Sequence, residues 1–350
     1  MRKPIVIKAG SESPDETNGT SFAIPRCLAT LRTRCEVVVT EDEAQQTLID
    51  AVAGASILMY TYGNITREVL EAGQPNLKTV IKMGTGIDSV DFTAAKALGV
   101  RVVNCPDYAR FAVAETAFLL LINCFKKFIP MHRAMCEAGW AAPGKANQGF
   151  ELRGKTVGLV GVGHINAELA QMCSGFGMQV QGYSPRMDRA RMQDHGVEKV
   201  DSLPELAAQA DALCICVPLT AETTGLISRE VLEAMKPSAF LINVGRGATV
   251  DEEALVECVE QGVIAGCGLD VYSQEPLNKD DHPMAKLLNS DNAVLTPHLA
   301  AWTKDTWQRL EQDIVTHVFN VLDNQPLVIN STDRRLAGQP DCVYPHSKAN

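Results

Sequence analysis

Thr156-Val157-Gly158-Leu159-Val160-Gly161-Val162-Gly163-His164-Ile165-Asn166-Ala167-Glu168-Leu169-Ala170 is the stretch that decides how this chain folds. It opens as a short apolar run, the pattern of a buried parallel strand. It turns on two glycines and continues with helical spacing. Strand, tight turn and helix N-terminus are the order a dinucleotide site requires. Gly161 suits the tight turn. Gly163 lets the backbone approach a pyrophosphate, which would rest on the free N–H groups and positive dipole end of the next helix. Asn166 stands where the fingerprint has its third glycine. That glycine serves helix–strand packing, so its loss weakens the match and leaves the anion site. A Gly-x-Gly turn alone is a weak signal, and the rest of the chain has to agree with it.

The chain has 350 residues, a formal net charge of −10 and 46% hydrophobic content. Its length suits two domains, and its apolar fraction suits a real core. The acidic balance argues against broad binding to nucleic acid or to anionic membranes. Met1-Arg2-Lys3-Pro4 leads into a short apolar run rather than a signal peptide, and the apolar run at 117–122 is too short to span a bilayer. A cytoplasmic protein is expected. The eleven cysteines are scattered, and Cys214 and Cys216 have no second pair at metal-ligand spacing. They read as reduced, mostly buried thiols, with no metal site.

Strands are expected at 4–8, 36–39, 55–60, 79–83 and 102–104, with helices at 43–53, 66–72 and 91–98. That alternation builds a parallel sheet covered by helices. Residues 11–20 read as a polar loop. One long helix is expected from about 113 to 137, apolar all round in its middle and so buried between domains or subunits. A Gly-, Ala- and Pro-rich linker follows at 138–149. After the opening stretch, strands at 179–183, 212–217, 239–243, 265–271 and 293–295 alternate with helices at 203–209, 228–235 and 252–261. Ser228 reads as the cap of one of these. A final amphipathic helix covers 303–322, and the polar tail after Asn330 is expected to be loosely packed or to lie along the surface. The sum is an α/β chain of two doubly wound parallel sheets, the second a Rossmann-type dinucleotide-binding domain.

In an NAD site a carboxylate at the end of the second strand accepts hydrogen bonds from the ribose. Here Ser184-Pro185-Arg186 stand there, and Asp188 comes later. A hydroxyl and a guanidinium suit a 2′-phosphate, so NADP(H) is favoured over NAD(H). Three further stretches lie at strand ends: Asn243-Val244-Gly245-Arg246-Gly247, Leu269-Asp270-Val271-Tyr272 with Glu275-Pro276, and Thr296-Pro297-His298-Leu299-Ala300. They bring an Arg, two carboxylates and a His to one sheet edge. A His suits a proton-transfer step, and a forked guanidinium suits a carboxylate.

In this order the motifs resemble the D-isomer-specific 2-hydroxyacid dehydrogenase family over about 57–321. The marks are the run from Lys82 to Asp91, Val113-Ala114-Glu115, the Gly161 turn, Val217-Pro218-Leu219-Thr220 and the three stretches above. The resemblance implies His298 as acid–base group, Glu275 as its partner and Arg246 on the substrate. It implies cofactor contacts from Gly161, Gly163, His164, Ile165, Ser184, Arg186, Val217, Pro218, Thr223, Val244, Gly245, Asp270 and Ala300. Asp270 would meet the nicotinamide amide. It implies substrate contacts from Lys82, Gly84, Thr85, Gly86 and Arg110, the glycine turn holding the carboxylate through backbone N–H groups. Ala300-Ala301 departs from the glycine-containing pair usual after the His. The implied organisation is a discontinuous, flavodoxin-like substrate-binding domain (1–104 plus 299–330), a dinucleotide domain (105–298) and a tail (331–350). A homodimer through the long helix, a small anionic 2-hydroxy or 2-oxo acid as partner, and NADP or NAD as cofactor complete the expectation. Glyoxylate, hydroxypyruvate and phosphoglycerate types of substrate stay open. A nucleotide-sensing corepressor of the same family would keep the same residues. Formate oxidation needs no proton transfer and pairs the His with Gln, so Glu275 argues against it.

Overall fold

The computed structural model describes residues 3–11, 24–331 and 333–345. The loop expected at 11–20 lies outside the described residues beyond Ser11. The chain divides into two compact units, Met1–Ala109 with Thr303–Asn350, and Arg110–Trp302. Each crossing comes a few residues later than the sequence boundaries.

The first unit is built on five parallel strands, β1 (Ile5–Lys8), β2 (Glu36–Val39), β3 (Ile57–Tyr60), β4 (Thr79–Lys82) and β5 (Arg101–Asn104), in the order β2-β1-β3-β4-β5. Continuous apolar runs such as Ile57-Leu58-Met59-Tyr60 are wholly buried, as a sheet covered on both faces demands. The closing helix Lys304–Leu322 returns to this unit, and its Leu310, Ile314 and Val318 share one core with the strands. That helix is capped by Thr303, whose hydroxyl accepts from the Thr306 amide at 3.2 Å. A helix at Pro25–Arg32 was not legible in the pattern.

The tail corrects its expectation. Leu336 is fully buried in the same core, and Leu327–Val328 pairs with Cys342–Val343. The Gln339 side chain bonds both the N–H and the C=O of Val102 at 2.6 and 2.8 Å, closing the free edge of β5. The buried leucine, the Gln339 amide, the strand pair and the Arg335–Asp88 ion pair at 3.0 Å together dock the segment.

The second unit has seven parallel strands, β6 (Thr156–Val160), β7 (Gln179–Tyr183), β8 (Glu198–Lys199), β9 (Ala212–Ile215), β10 (Phe240–Asn243), β11 (Gly266–Leu269) and β12 (Ala293–Leu295). Their order is β12-β11-β10-β9-β6-β7-β8, so the direction of winding reverses between β6 and β9. Ligands of open α/β sheets bind at that reversal, beyond the carboxyl ends of the strands.

The long helix is in fact two, Arg110–Lys126 and Phe128–Ala138, separated by Lys127 at φ 52°. In a continuous helix the Phe125 carbonyl would accept from residue 129. Here it accepts the Phe150 N–H at 2.7 Å, and the chain bends. The first helix buries residues such as Leu120 and Leu121, while the second buries none of its side chains. Ser228 does not cap its helix either, because its hydroxyl turns to the Glu230 carboxylate at 2.6 Å. No described helix is long and apolar enough to cross a membrane.

Candidate active site

The glycine turn of the second unit follows β6. Gly161 sits at φ 80°, and a Cβ there would lie 2.6 Å from Val217 Cγ1. Only glycine fits on both counts. Gly163 begins the helix His164–Gly175, and a Cβ on it would meet nothing within 4 Å. The first glycine is therefore required by the protein itself, while the second leaves room above the helix N-terminus. A pyrophosphate needs that room, so the residues fit the cofactor they imply. His164 and Ile165 form the first turn below it. Asn166 fills the missing third glycine's place by tying the turn down, its Nδ2 donating to the Gly161 carbonyl at 2.6 Å. Its Oδ1 is buried without a partner.

Val217, Pro218 and Thr223 line the loop after β9, where the Thr223 hydroxyl donates to the Pro218 carbonyl at 2.6 Å and accepts from the Thr220 amide at 2.8 Å. Val244 and Gly245 are buried at the end of β10, and a Cβ on Gly245 would lie 3.1 Å from the Val217 carbonyl. At the end of β7, Ser184 is half-buried and Arg186 exposed. Asp188 is committed elsewhere: it caps the helix Arg189–Asp194, accepting from the Arg191 amide at 2.8 Å.

The His298–Glu275 pair forms at the other side of the same sheet edge. His298 Nδ1 lies 2.6 Å from Glu275 Oε2, and the side chains keep 42% and 34% exposure, enough to meet a ligand. Burial would raise the Glu275 carboxyl. The hydrogen bond and charge of His298, the Tyr272 amide and the charge of Arg246 outweigh it and hold the carboxyl below its ordinary value. An ionised Glu275 accepts, so Nδ1 carries the proton. Arg246 is half-buried, its Nη1 donating to the Gly245 carbonyl at 2.7 Å. The turn it sits on is held by Asn243, whose side chain bonds both the Arg246 carbonyl and the Gly245 amide at 3.0 Å.

Asp270 has a role the motif did not reveal. It is 1% exposed. Its carboxylate accepts from Thr296 Oγ1 at 2.6 Å, the Leu299 amide at 3.1 Å and the Ala300 amide at 3.0 Å. It thus brackets His298, which stands at φ 54°. Ala300 is itself buried, with its N–H spent on this carboxylate. Asn243 was legible only as a motif member, and Asp270 only through the nicotinamide contact that the resemblance implies. Their bonding follows from the tertiary approach of β10, β11 and β12.

The first unit carries the other glycine turn, after β4. Gly84 sits at φ 157°, and the Asn104 amide donates to the Thr85 carbonyl at 2.6 Å, fixing Gly84-Thr85-Gly86 beside the end of β5. Lys82 donates to the Thr61 carbonyl and lies 5.0 Å from the centre of the Tyr60 ring. Arg110 belongs to the second unit, where it pairs with Glu168 at 3.5 Å.

The model of the D-isomer specific 2-hydroxyacid dehydrogenase NAD binding domain matches residues 118–300, and the chain belongs to that family. A hydroxypyruvate reductase of Thermotoga maritima is 38% identical over 258 residues, 74% of this chain and 81% of that one. A D-3-phosphoglycerate dehydrogenase of Archaeoglobus fulgidus is 35% identical over 293 residues, 83% of this chain and 54% of that one. The chain thus spans about half the length of such phosphoglycerate dehydrogenases. Among solved structures, an NADPH-dependent glyoxylate/hydroxypyruvate reductase of Sinorhizobium meliloti superposes with a TM-score of 0.79 at 29% identity, covering 93% of this chain and 95% of that one.

Proposed function

We propose that this chain is an NAD(P)-dependent D-2-hydroxyacid dehydrogenase, acting on a small anionic 2-hydroxy or 2-oxo acid of the glyoxylate, hydroxypyruvate or phosphoglycerate type. The observation that carries the reading is the His298–Glu275 pair at 2.6 Å, on the same sheet edge as Arg246. The nicotinamide cofactor supplies or accepts the hydride. His298 Nε2 takes the hydroxyl proton in oxidation and returns it to the oxygen in reduction. Glu275 fixes the tautomer and stabilises the imidazolium. Arg246 grips the carboxylate and leans on the carbonyl oxygen, where negative charge grows. The Gly84–Gly86 turn is the element of the first unit we assign to substrate binding through its N–H groups. Lys82 and Arg110 are secondary there, since each already has a partner.

The cofactor preferred is NADP(H). Arg186 is exposed at the end of β7, and Asp188, the nearest following carboxylate, is committed to a helix cap. Ser184→Asp with Arg186→Ala turns the preference toward NADH, and a wild type that already prefers NADH refutes this part. A homodimer is supported by Leu119, Phe128, Met135 and Trp140, exposed by 49–74% along the helix pair and just after it. A monomer by light scattering refutes that.

The deciding experiment is a panel of 2-oxo acids with NADPH and NADH, on wild type and His298→Ala. Turnover in the wild type should fall on the order of 10²–10⁴-fold in the variant, with cofactor affinity kept. A wild type that binds NADPH and reduces no member of the panel would be a sensor instead.

A further inference from the structure

Behind the candidate active site lies a second polar cluster that takes no part in the chemistry above. Glu252 opens the helix Glu252–Glu260, yet it is only 8% exposed. A carboxylate that deep must be answered by donors. Its Oε1 accepts the Ser273 amide at 2.7 Å. Its Oε2 accepts the Ser273 hydroxyl and lies 3.5 Å from His282 Nε2. His282 is 5% exposed, and its Nδ1 accepts from the Met284 amide at 3.2 Å. Nδ1 is therefore the acceptor of this ring and Nε2 its donor, aimed at Glu252 and Ser273. The ring meets Tyr272 edge-on, with centroids 6.3 Å apart.

Ser273 lies between two residues that matter to the pair at the surface. Its neighbour Tyr272 donates its amide to Glu275 Oε1 at 2.9 Å and its hydroxyl to the Thr296 carbonyl at 2.9 Å. Glu275 keeps Oε2 for His298 because Oε1 is already held. The same backbone is packed on the Arg246 turn: a Cβ on Gly247 would fall 1.9 Å from the Tyr272 carbonyl carbon and 2.2 Å from the Ser273 nitrogen. Glu252 stands five residues after Gly247 and grips Ser273 at both its amide and its hydroxyl.

We propose that the buried Glu252 and His282 clamp Ser273 and so set the placement of Glu275 against His298 and Arg246, so that turnover depends on three residues that touch no substrate. They are positioning residues, and the proposal rests on the dehydrogenase reading above. A displacement of about 1 Å at a reacting group can cost about 10²-fold.

The test is a double-mutant cycle between Glu252→Gln and Glu275→Gln, with Ser273→Ala as a milder variant that keeps the amide contact. A carboxamide at 252 turns an N–H₂ toward the donors of Ser273 or His282. The expected result is a fall in kcat on the order of 10-fold or more for Glu252→Gln, and a smaller one for Ser273→Ala, with NADPH affinity kept. The double variant should be no slower than Glu275→Gln alone. The pH limb that reports protonated His298 should move to lower pH in Glu252→Gln, as in Glu275→Gln, because the imidazolium loses its well-placed carboxylate. Multiplying losses with an unmoved limb, or a lowered Tm with unchanged kinetics, would overturn the clamp and leave the dehydrogenase reading intact. A wild type without turnover would overturn that reading and the clamp's catalytic role together.

Discussion

Asp270→Asn is the substitution that separates the scaffold of His298 from its chemistry. Asp270 is 1% exposed at the end of β11 and uses its carboxylate only to accept. Three donors converge on it: Thr296 Oγ1 and the Leu299 amide on Oδ1, and the Ala300 amide on Oδ2. A carboxamide has one acceptor oxygen and one N–H₂. Whichever way it turns, at least one donor faces a donor. The loss is one hydrogen bond to a charged acceptor plus one buried N–H or O–H left unanswered, about 3 kcal/mol together. His298 sits between those anchors at φ 54°, a conformation that costs a non-glycine residue about 1–2 kcal/mol. Freed of one anchor, the loop relaxes that strain by moving the imidazole off Glu275. Urea denaturation of Asp270→Asn should show the stability loss through a lowered midpoint at unchanged slope. Steady-state reduction of the best 2-oxo acid should fall on the order of 10²-fold in kcat. A variant as stable and as fast as wild type would refute the bracket around His298, and a stable variant with weakened NADPH binding alone would return Asp270 to the cofactor.

The two glycines of the turn should respond differently to alanine. Gly161→Ala puts a Cβ 2.6 Å from Val217 Cγ1 at φ 80°, so calorimetry should show a stability loss of about 2 kcal/mol or more. Gly163→Ala meets nothing within 4 Å and should keep Tm while weakening NADPH in a fluorescence titration; equal behaviour of the two would refute the division of roles. Burial lowers the His317 ring from 6.5 to about 4, so below pH 6.5 the unfolded chain takes a proton that the folded chain refuses. Stability should fall as pH drops from 6.5 toward 4, by up to about 3 kcal/mol from this residue. His317→Asn should flatten that fall in denaturant midpoints measured across the window, and an unchanged slope would refute the assignment.

What could be read in the sequence was what neighbouring residues decide together. An apolar run, a glycine at positive φ and a helix start sit side by side in 156–170, so the strand, the turn and the helix were all visible there. Ser184 and Arg186 were visible for the same reason, as the end of one strand. Partnerships across the chain were not. Glu252 looks like an acid placed in a first helical turn for the dipole, and His282 before Pro283 looks like a surface turn. Only the fold carries both to Ser273. Lys127 carries no glycine-like signal for its left-handed backbone, because the bend comes from Phe150 taking the Phe125 carbonyl. His298 makes the same point at the site itself. Thr296-Pro297-His298-Leu299-Ala300 gives no warning of a positive φ, since the force that holds it there is a carboxylate on another strand. A sequence motif can therefore single out His298 while saying nothing of what aims it. In this chain the aiming groups Asp270, Glu252 and His282 are buried polar residues with committed partners, and Ser273 is the exposed residue on which the last two converge. Burial makes each of those three costly to leave unanswered, and that cost is what converts a loop into a site with one geometry.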